Sequence, residues 1–581
     1  MRIKVLLVLS LCVGFELVVA QSFTKITDLN NPIVQDQYES GGGAWIDFNN
    51  DGLLDLFVAN GNLTNQQNSL YLNLGNGNFK KITTGAIITD GGSSIGSTWA
   101  DFDNDGFLDV FVVNRNNFGN FLYLGNGDTT FTKVMTGPVV SDLVNSNSAS
   151  WVDVNNNGLL DLFVINFQSD NFLFLNQGNR TFAKETSASP TGDGTNFSIH
   201  GLWADFNNDR LPDLFIGNGG SQNDVLYRNQ GGNSFETIPF NDGKATIGSS
   251  WGDYNNDGYT DLFVANTLNQ ENILYRNSGP PTFSLAPVVG SAVSLDMGNS
   301  VGSSWADFNN DGVLDLFVAN DGQNNLLYMN SGPPNYEFTK IIVGEIVNDG
   351  GNSFGAAAGD YDNDGDLDMF VANRLNQQNF LYRNNGNSNN WLKVQCVGTV
   401  SNKSAIGTKV RIRATIMGQT IWQKREVSGM TGYNSQTLQL HFGLATASLV
   451  DSLIVEWPSG LTEVHTNIVP DQTVTVRENS GITAVPEQGR TTNPEVFFLG
   501  QNYPNPFNPV TNFEFQVPTS GFVQLHVYSV LGNELATIVN EHLAPGVYRR
   551  TWDAHPFPSG VYYYRLQSSN FVETRKMILL K

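Results

Sequence analysis

Seven short stretches of this chain carry oxygen-bearing side chains at fixed intervals. They are Asp47, Asn49, Asp51 and Asp55; Asp101, Asp103, Asp105 and Asp109; Asp153, Asn155, Asn157 and Asp161; Asp205, Asn207, Asp209 and Asp213; Asp253, Asn255, Asp257 and Asp261; Asp307, Asn309, Asp311 and Asp315; and Asp360, Asp362, Asp364 and Asp368. Each fits Asp-x-[Asp/Asn]-x-[Asp/Asn]-Gly-x-x-Asp, except that Arg210 replaces the glycine of the fourth. Oxygens at positions 1, 3 and 5, a main-chain carbonyl at 7 and a carboxylate at 9 converge on one hard cation, while glycine at 6 permits the sharp turn. The set has no nitrogen or sulfur donor, so Ca²⁺ is favoured over zinc or copper, in up to seven sites. Asp and Asn also make ordinary side-chain turns between strands. Seven loops sharing the same four positions favour metal instead, because unpaired carboxylates so close together repel. Extracellular sites of this kind bind with dissociation constants of about 0.1–1 mM. The third and fourth loops are expected to be weakest, since Asn157 lowers the charge of one and Arg210 adds a cation to the other. The seventh, with Asp366 as an extra carboxylate, is expected to be among the strongest.

The elements that position these loops repeat with them. The first Asp recurs at 47, 101, 153, 205, 253, 307 and 360, a period of 48 to 54 residues. Each period contains about four short strands separated by Gly/Asn turns; in the first they are Gly43 to Ile46, Asp55 to Ala59, Ser69 to Asn73 and Phe79 to Ile82. Four strands per unit, repeated seven times, predict an all-β fold led by a seven-bladed β-propeller. The seventh repeat lacks an outer strand like Phe131-Thr132-Lys133-Val134. That strand is found at the other end of the chain as Phe23-Thr24-Lys25-Ile26, so the N-terminal segment is expected to complete the last blade and leave no open edge.

Phrases such as Trp305-Ala306-Asp307-Phe308-Asn309-Asn310-Asp311-Gly312 and Asp315-Leu316-Phe317-Val318 resemble the FG-GAP or VCBS repeats of integrin α-subunit propellers and many bacterial surface proteins. The resemblance implies a calcium-stabilised propeller over residues 21–390. Residues 391–478 lose the repeat and become alternating strands. There Ile406-Gly407-Thr408-Lys409-Val410, Gly432-Tyr433-Asn434-Ser435-Gln436 and Glu456-Trp457-Pro458-Ser459-Gly460 resemble the ASPIC/UnbV domain. Residues 479–496 read as a linker. Residues 497–581, opening with Gln501-Asn502-Tyr503-Pro504-Asn505-Pro506-Phe507-Asn508-Pro509, resemble the type A C-terminal sorting domain of the bacterial type IX secretion system. That resemblance implies engagement of the secretion machinery through 497–581 and delivery to the extracellular space or the outer-membrane surface of a Gram-negative bacterium. Both C-terminal domains are expected to be small and β-sandwich-like.

Residues 1–20 carry the three zones of a secretory signal peptide: basic Arg2 and Lys4, apolar Val5 to Val13, and Val18-Val19-Ala20 before Gln21. No later stretch is long and apolar enough to cross a bilayer as a helix, so no transmembrane segment is expected in the mature chain. Cys12 lies within the signal, leaving Cys396 without an internal disulfide partner. With 55 Asp and Glu against 31 Lys and Arg, a net charge of −24, the chain is no nucleic-acid binder.

Other motifs reduce to structure. Trp45, Trp99, Trp151, Trp203, Trp251 and Trp305 each stand two residues before a loop and are expected in the core between blades. Blade 7 has Ala358 there, which leaves either a gap or a ligand pocket. Gly92-Ser93-Ser94-Ile95-Gly96 matches a nucleophile-elbow string but precedes a strand rather than following one. The histidines show no zinc-ligand spacing, and His441 is expected to be structural. No catalytic constellation and no organic-cofactor motif is recognisable. The leading expectation is a non-enzymatic, calcium-binding surface or secreted propeller that binds a glycan or a surface protein in adhesion. The alternative is a propeller-based polysaccharide-degrading enzyme resembling a polysaccharide lyase.

Overall fold

The computed structural model describes residues 22–62, 64–186, 190–191, 197–416, 418–430, 437–485, 497–500, 502, 505–543, 546–568 and 571–581. The expected signal peptide at 1–20, the Gly432–Gln436 phrase and residues 486–496 of the expected linker lie outside them. The chain divides into two compact units, Met1–Pro486 and Glu487–Lys581.

The first unit begins with a seven-bladed propeller. Five blades are separate four-stranded antiparallel sheets, and the last two are joined through pairing of Asp315–Gln323 with Gly351–Gly359. In blade 1 the strands are Ser40–Ile46, Asp55–Asn60, Ser69–Asn73 and Phe79–Lys81, within three residues of the expected bounds. The first two are buried along their whole length, which is why they read as continuous apolar and small-residue runs rather than as alternation. Each blade ties them together with a buried hydroxyl-to-amide pair, such as Ser40 Oγ donating to Asn60 Oδ1 at 2.9 Å and Ser353 Oγ to Asn373 Oδ1 at 2.9 Å.

The tryptophans lock blade to blade. Trp151 stacks on Phe102 of the preceding blade with ring centres 5.1 Å apart and planes 6° apart. Trp45 stacks in the same way on Tyr361 of the last blade, at 5.7 Å and 15°. Such pairs contribute roughly 0.5–1.5 kcal/mol beyond their burial, and the last one joins the first blade to the seventh.

The outer strand of blade 7 is Phe23–Lys25, antiparallel to Phe380–Asn384, with Phe23 opposite Asn384. Lys25 pairs with Asp349 at 2.8 Å while the Tyr382 hydroxyl donates to the same carboxylate. Lys133, Asp90 and Tyr123 make the same arrangement in blade 2, so the borrowed strand does what a blade's own strand does. Removing residues 22–27 from the mature chain is expected to expose the Phe380–Asn384 edge and give oligomers or aggregates in size-exclusion chromatography. A monomer melting like the parent would show that closure does not depend on this strand.

The remaining described residues form two β-sandwiches. In the first, Asn390–Val397 pairs with Gln439–Ala445 and Gln472–Arg477, facing a sheet built around Lys409–Ile416. Gly481–Val485, read from sequence as linker, pairs antiparallel with Gln472–Arg477 and is a strand of this sheet. Its Gly, Thr and Ala content hid an edge strand behind a loop-like composition. The second unit stacks Phe498–Leu499, Val510–Val517 and Gly546–Asp553 against a four-stranded sheet, over a core that includes Phe513, Phe515, Trp552 and Tyr564.

Candidate metal loops and the domain that covers them

Each loop connects the first two strands of its blade, and its shape is set by its own carboxylates. In loop 1 the Asp47 oxygens accept the main-chain N–H groups of Asp51 (2.9 Å) and Gly52 (2.8 Å), and Asp51 accepts that of Leu53 at 2.9 Å. The ninth-position Asp starts the second strand, buried in every blade. One of its oxygens accepts a main-chain N–H from the third strand, for example Asn73 to Asp55 at 2.7 Å and Asn384 to Asp368 at 2.8 Å. The Asn73 side chain then donates to the Tyr361 carbonyl of the neighbouring blade at 2.8 Å, so the carboxylate is positioned from both sides.

Sequence reasoning passed over loop position 4, although it is Asn in all seven. Asn50, Asn104, Asn156, Asn208, Asn256, Asn310 and Asn363 adopt left-handed conformations with φ of 54–61°, which Asn tolerates better than other side chains. Each donates its amide to the position-6 carbonyl of the next loop, at 2.6–3.4 Å, and Asn363 to Gly52 closes the circle. The seven loops are one hydrogen-bonded ring.

This ring presents oxygen donors that suit a hard cation. Asp101, Asp103 and Asp109 place carboxylate oxygens within 4.8 Å of one another, as do Asp360, Asp362 and Asp368. Among the described residues, Asp55, Asp213 and Asp261 each keep a buried Oδ2 with no hydrogen-bond partner, and Asn155 and Asp362 each keep such a buried Oδ1. Burial pushes Asp47 and Asp101 up to about 7 and Asp55 and Asp109 up to about 9, with the neighbouring loop carboxylates adding to the shift. Burial also raises Asp213, Asp261, Asp315 and Asp368 well above the usual carboxylate range. A bound divalent cation would supply the positive charge these groups lack. Arg180 meanwhile pairs with Asp103 and Asp105, and Arg383 with Asp362 (2.8 Å) and Asp364 (3.3 Å). Asp366 accepts from Asn310 at 2.9 Å, which links it to blade 6.

The first β-sandwich lies against this ring. The Lys393 ammonium is 2.6 Å from Asp360 Oδ2, and Lys409 pairs with Asp205. Lys424 donates to Thr260 (2.8 Å) and Asn208 (3.1 Å). Burial raises Asp253 and Asp307, and nearby cations offset part of the rise: Lys424 and then Arg425 at Asp253, and Arg425 at Asp307. Ser404 Oγ accepts from Asp101 N at 2.8 Å, and Ala445 N donates to Asn310 O at 2.7 Å. Gly443 is required at its position, because a Cβ there would stand 2.1 Å from Asp307 Oδ2. Arg210 also finds its reason. Held at φ 74° where other loops have glycine, it donates to Gly460 O at 2.8 Å and Thr462 Oγ1 at 3.3 Å of the covering domain.

The elbow-like string is blade structure: Ser94 Oγ donates to Asn114 at 2.9 Å within the sheet, and Ser93 Oγ to Gly61 O at 2.7 Å. His200 is fully buried against Ser249, and burial lowers it to about 3. Among the described residues, no helix is long and apolar enough to cross a membrane.

The FG-GAP-like repeat model matches residues 47–112, 101–164, 153–216, 205–264, 253–318 and 307–371, more than half of the chain and each match spanning two successive loops. The chain belongs to the FG-GAP repeat proteins. Behind the FG-GAP propeller, residues 398–483 match the ASPIC and UnbV domain, and residues 501–580 match the secretion system C-terminal sorting domain. The sorting domain marks this FG-GAP protein for engagement with the secretion machinery and export to the cell surface or extracellular space. No curated protein sequence matches the chain. Similar solved structures include BBS1N in complex with ARL6DN, soaked with lead, at 10% identity, covering 62% of this chain and 97% of that one with a TM-score of 0.39. PorZ, a surface component of the type IX secretion system of Porphyromonas gingivalis, is 9% identical, with 94% and 82% covered and a TM-score of 0.23.

Proposed function

We propose that this chain is a calcium-loaded propeller, displayed on or released from the surface of a Gram-negative bacterium, that binds a glycan or protein ligand in adhesion. The observation that supports it most is the closed ring of loops, in which Asp55, Asp213, Asp261 and Asp362 each retain a buried oxygen without a hydrogen-bond partner among the described residues. All donors are oxygen, which suits Ca²⁺, and weak structural sites of about 0.1–1 mM suit an exported protein. Calcium contributes charge neutralisation and rigidity; the loop residues hold the blades in register, which gives a ligand a fixed surface.

The test is a glycan and surface-protein array probed with the Ca²⁺-loaded protein and again in EDTA. A ligand retained in calcium and lost in EDTA is the expected result, and an array without any calcium-dependent ligand overturns the reading. Polyuronides incubated with the protein are expected to give no unsaturated product absorbing in the ultraviolet; its appearance would establish a lyase instead. For export, truncation after residue 500 is expected to leave the protein inside the cell envelope, as read by immunoblot of cell and medium fractions.

A further inference from the structure

The first-position carboxylates of the seven loops start from one geometry. One oxygen accepts the main-chain N–H of position 5 and the other that of position 6, from Asp47 round to Asp360. A carboxylate has about four acceptor sites, so each oxygen keeps one for a further partner. In the calcium reading that partner is the cation, at about 2.3–2.6 Å from the oxygen.

Two of the seven carboxylates have a different partner. The Lys393 ammonium stands 2.6 Å from Asp360 Oδ2 and 3.3 Å from Asn363 Oδ1 of loop 7, and the Lys409 ammonium pairs with Asp205 Oδ2 of loop 4. Lys393, Asp360, Lys409 and Asp205 are all buried. Among the described residues, no ion pair forms at Asp47, Asp101, Asp153, Asp253 or Asp307. Lys424 and Arg425, which approach loops 4 to 6, donate to Thr260, Asn208 and the Lys424 carbonyl instead. Arg180, Arg276 and Arg383 pair with later loop positions, and their side chains are at least half exposed, so they are free to turn into water.

The two lysines have no such freedom. Each projects from a strand of the docked domain, Lys393 from Asn390–Val397 and Lys409 from Lys409–Ile416. Loops 4 and 7 are three blades apart, the widest separation in a ring of seven, so the two pairs hold the domain across the ring. An ammonium and a calcium ion on one buried carboxylate repel each other, because burial removes the water that would screen them. Glu426 adds a buried carboxylate beside Asp205, and Lys424 and Lys409 both offset it. Resting on the calcium reading proposed above, we infer that Lys393 and Lys409 are built-in counter-ions that weaken calcium binding at loops 7 and 4 while the ASPIC/UnbV domain is docked, and that calcium loading of these two loops loosens the domain. Such coupling is reciprocal: calcium weakens a lysine's hold by the factor that the lysine weakens calcium. Loop 7 then binds weakly although it carries the most carboxylates, because Asp366 is spent on Asn310 and Asp360 on Lys393.

The experiment measures Ca²⁺ binding at pH 8, by calorimetry and equilibrium dialysis, to the parent protein, Lys393→Met, Lys409→Met and the variant carrying both. Each single substitution is expected to tighten one calcium site about tenfold or more and the double variant two, with the other sites unchanged. Hydrogen exchange of the parent supplies a reading that does not depend on how well a variant folds. Amides of Asn390–Val397 and Lys409–Ile416 are expected to stay protected while the tight sites fill and to exchange faster when the two weak ones fill. Calcium affinities that are the same in parent and variants overturn the inference while leaving the calcium reading intact, as does protection that calcium never lowers in the parent. A parent that binds no calcium up to about 10 mM removes the calcium reading and the inference together.

Discussion

EDTA lowers the melting temperature of the first unit by about 10 °C or more at pH 8, relative to 10 mM Ca²⁺, and by distinctly less at pH 5.5. A ligand that binds only the folded state stabilises it by RT ln(1 + [L]/Kd). At 10 mM Ca²⁺ and a Kd of about 0.1–1 mM this is roughly 1.4–2.7 kcal/mol per site, or on the order of 10–19 kcal/mol for seven sites. With a melting entropy of about 2.1 cal/mol/K per residue, a unit of this size shifts by about 1 °C for each kcal/mol. The pH dependence follows from the direction of the shifts. Without metal, Asp47 and Asp101 are held at about 7 and Asp55 and Asp109 at about 9, above the ordinary value of 3.8 in the unfolded chain. The folded state therefore binds more protons than the unfolded one between about pH 4 and 9, and its stability falls as pH rises through that window. Calcium needs the ionised carboxylates and competes with those protons, so its benefit grows over the same window. Scanning calorimetry at the two pH values checks this; equal melting in EDTA and Ca²⁺ at pH 8 would refute metal binding at the loops.

The propeller was legible because its signals repeat. A loop seen once is a turn, whereas its recurrence carries blade number, strand order and even the strand borrowed from Phe23–Lys25. Asn at position 4 was equally visible, yet its role depends on a carbonyl in the next repeat, which no single period shows. The cover over the loops was not legible at all. Strand Asn390–Val397 has buried residues on both faces, so Lys393, which alternation places on a solvent face, is in fact only 1% exposed. Lys409 and Lys424 are hidden in the same way, because their partners lie in a domain whose sequence gives no hint of the contact. The acidity that sets the net charge of −24 is met partly from within the chain, by a domain whose lysines and arginines outnumber its acids.

Lys409→Met is expected to destabilise the first unit by about 3–5 kcal/mol in EDTA and by less in Ca²⁺. The pair it breaks is not a surface ion pair, which would be worth about 0–1 kcal/mol: the side chains of Lys409 and Asp205 are 4% and 5% exposed. Truncating the lysine strands a buried carboxylate, and that uncompensated charge carries most of the cost. Adding Asp205→Asn removes the stranded charge, so the double variant should recover much of the loss, with a coupling above about 1 kcal/mol in the double-mutant cycle. Calcium is expected to supply the same relief by another route, because a cation bound in the fourth loop would replace the missing ammonium. The single variant should thus be more calcium-dependent than its parent, and Lys393→Met should repeat the pattern at Asp360, where both side chains are 2% exposed and 2.6 Å apart. Chemical denaturation of the four proteins of each cycle, in EDTA and in Ca²⁺, measures these terms directly. Equal costs in the two media would mean that ammonium and calcium do not share the first-position carboxylates. The lysines would then serve only to dock one domain on the other, whereas unequal costs make the covering domain and the metal alternative partners of one ring of acids.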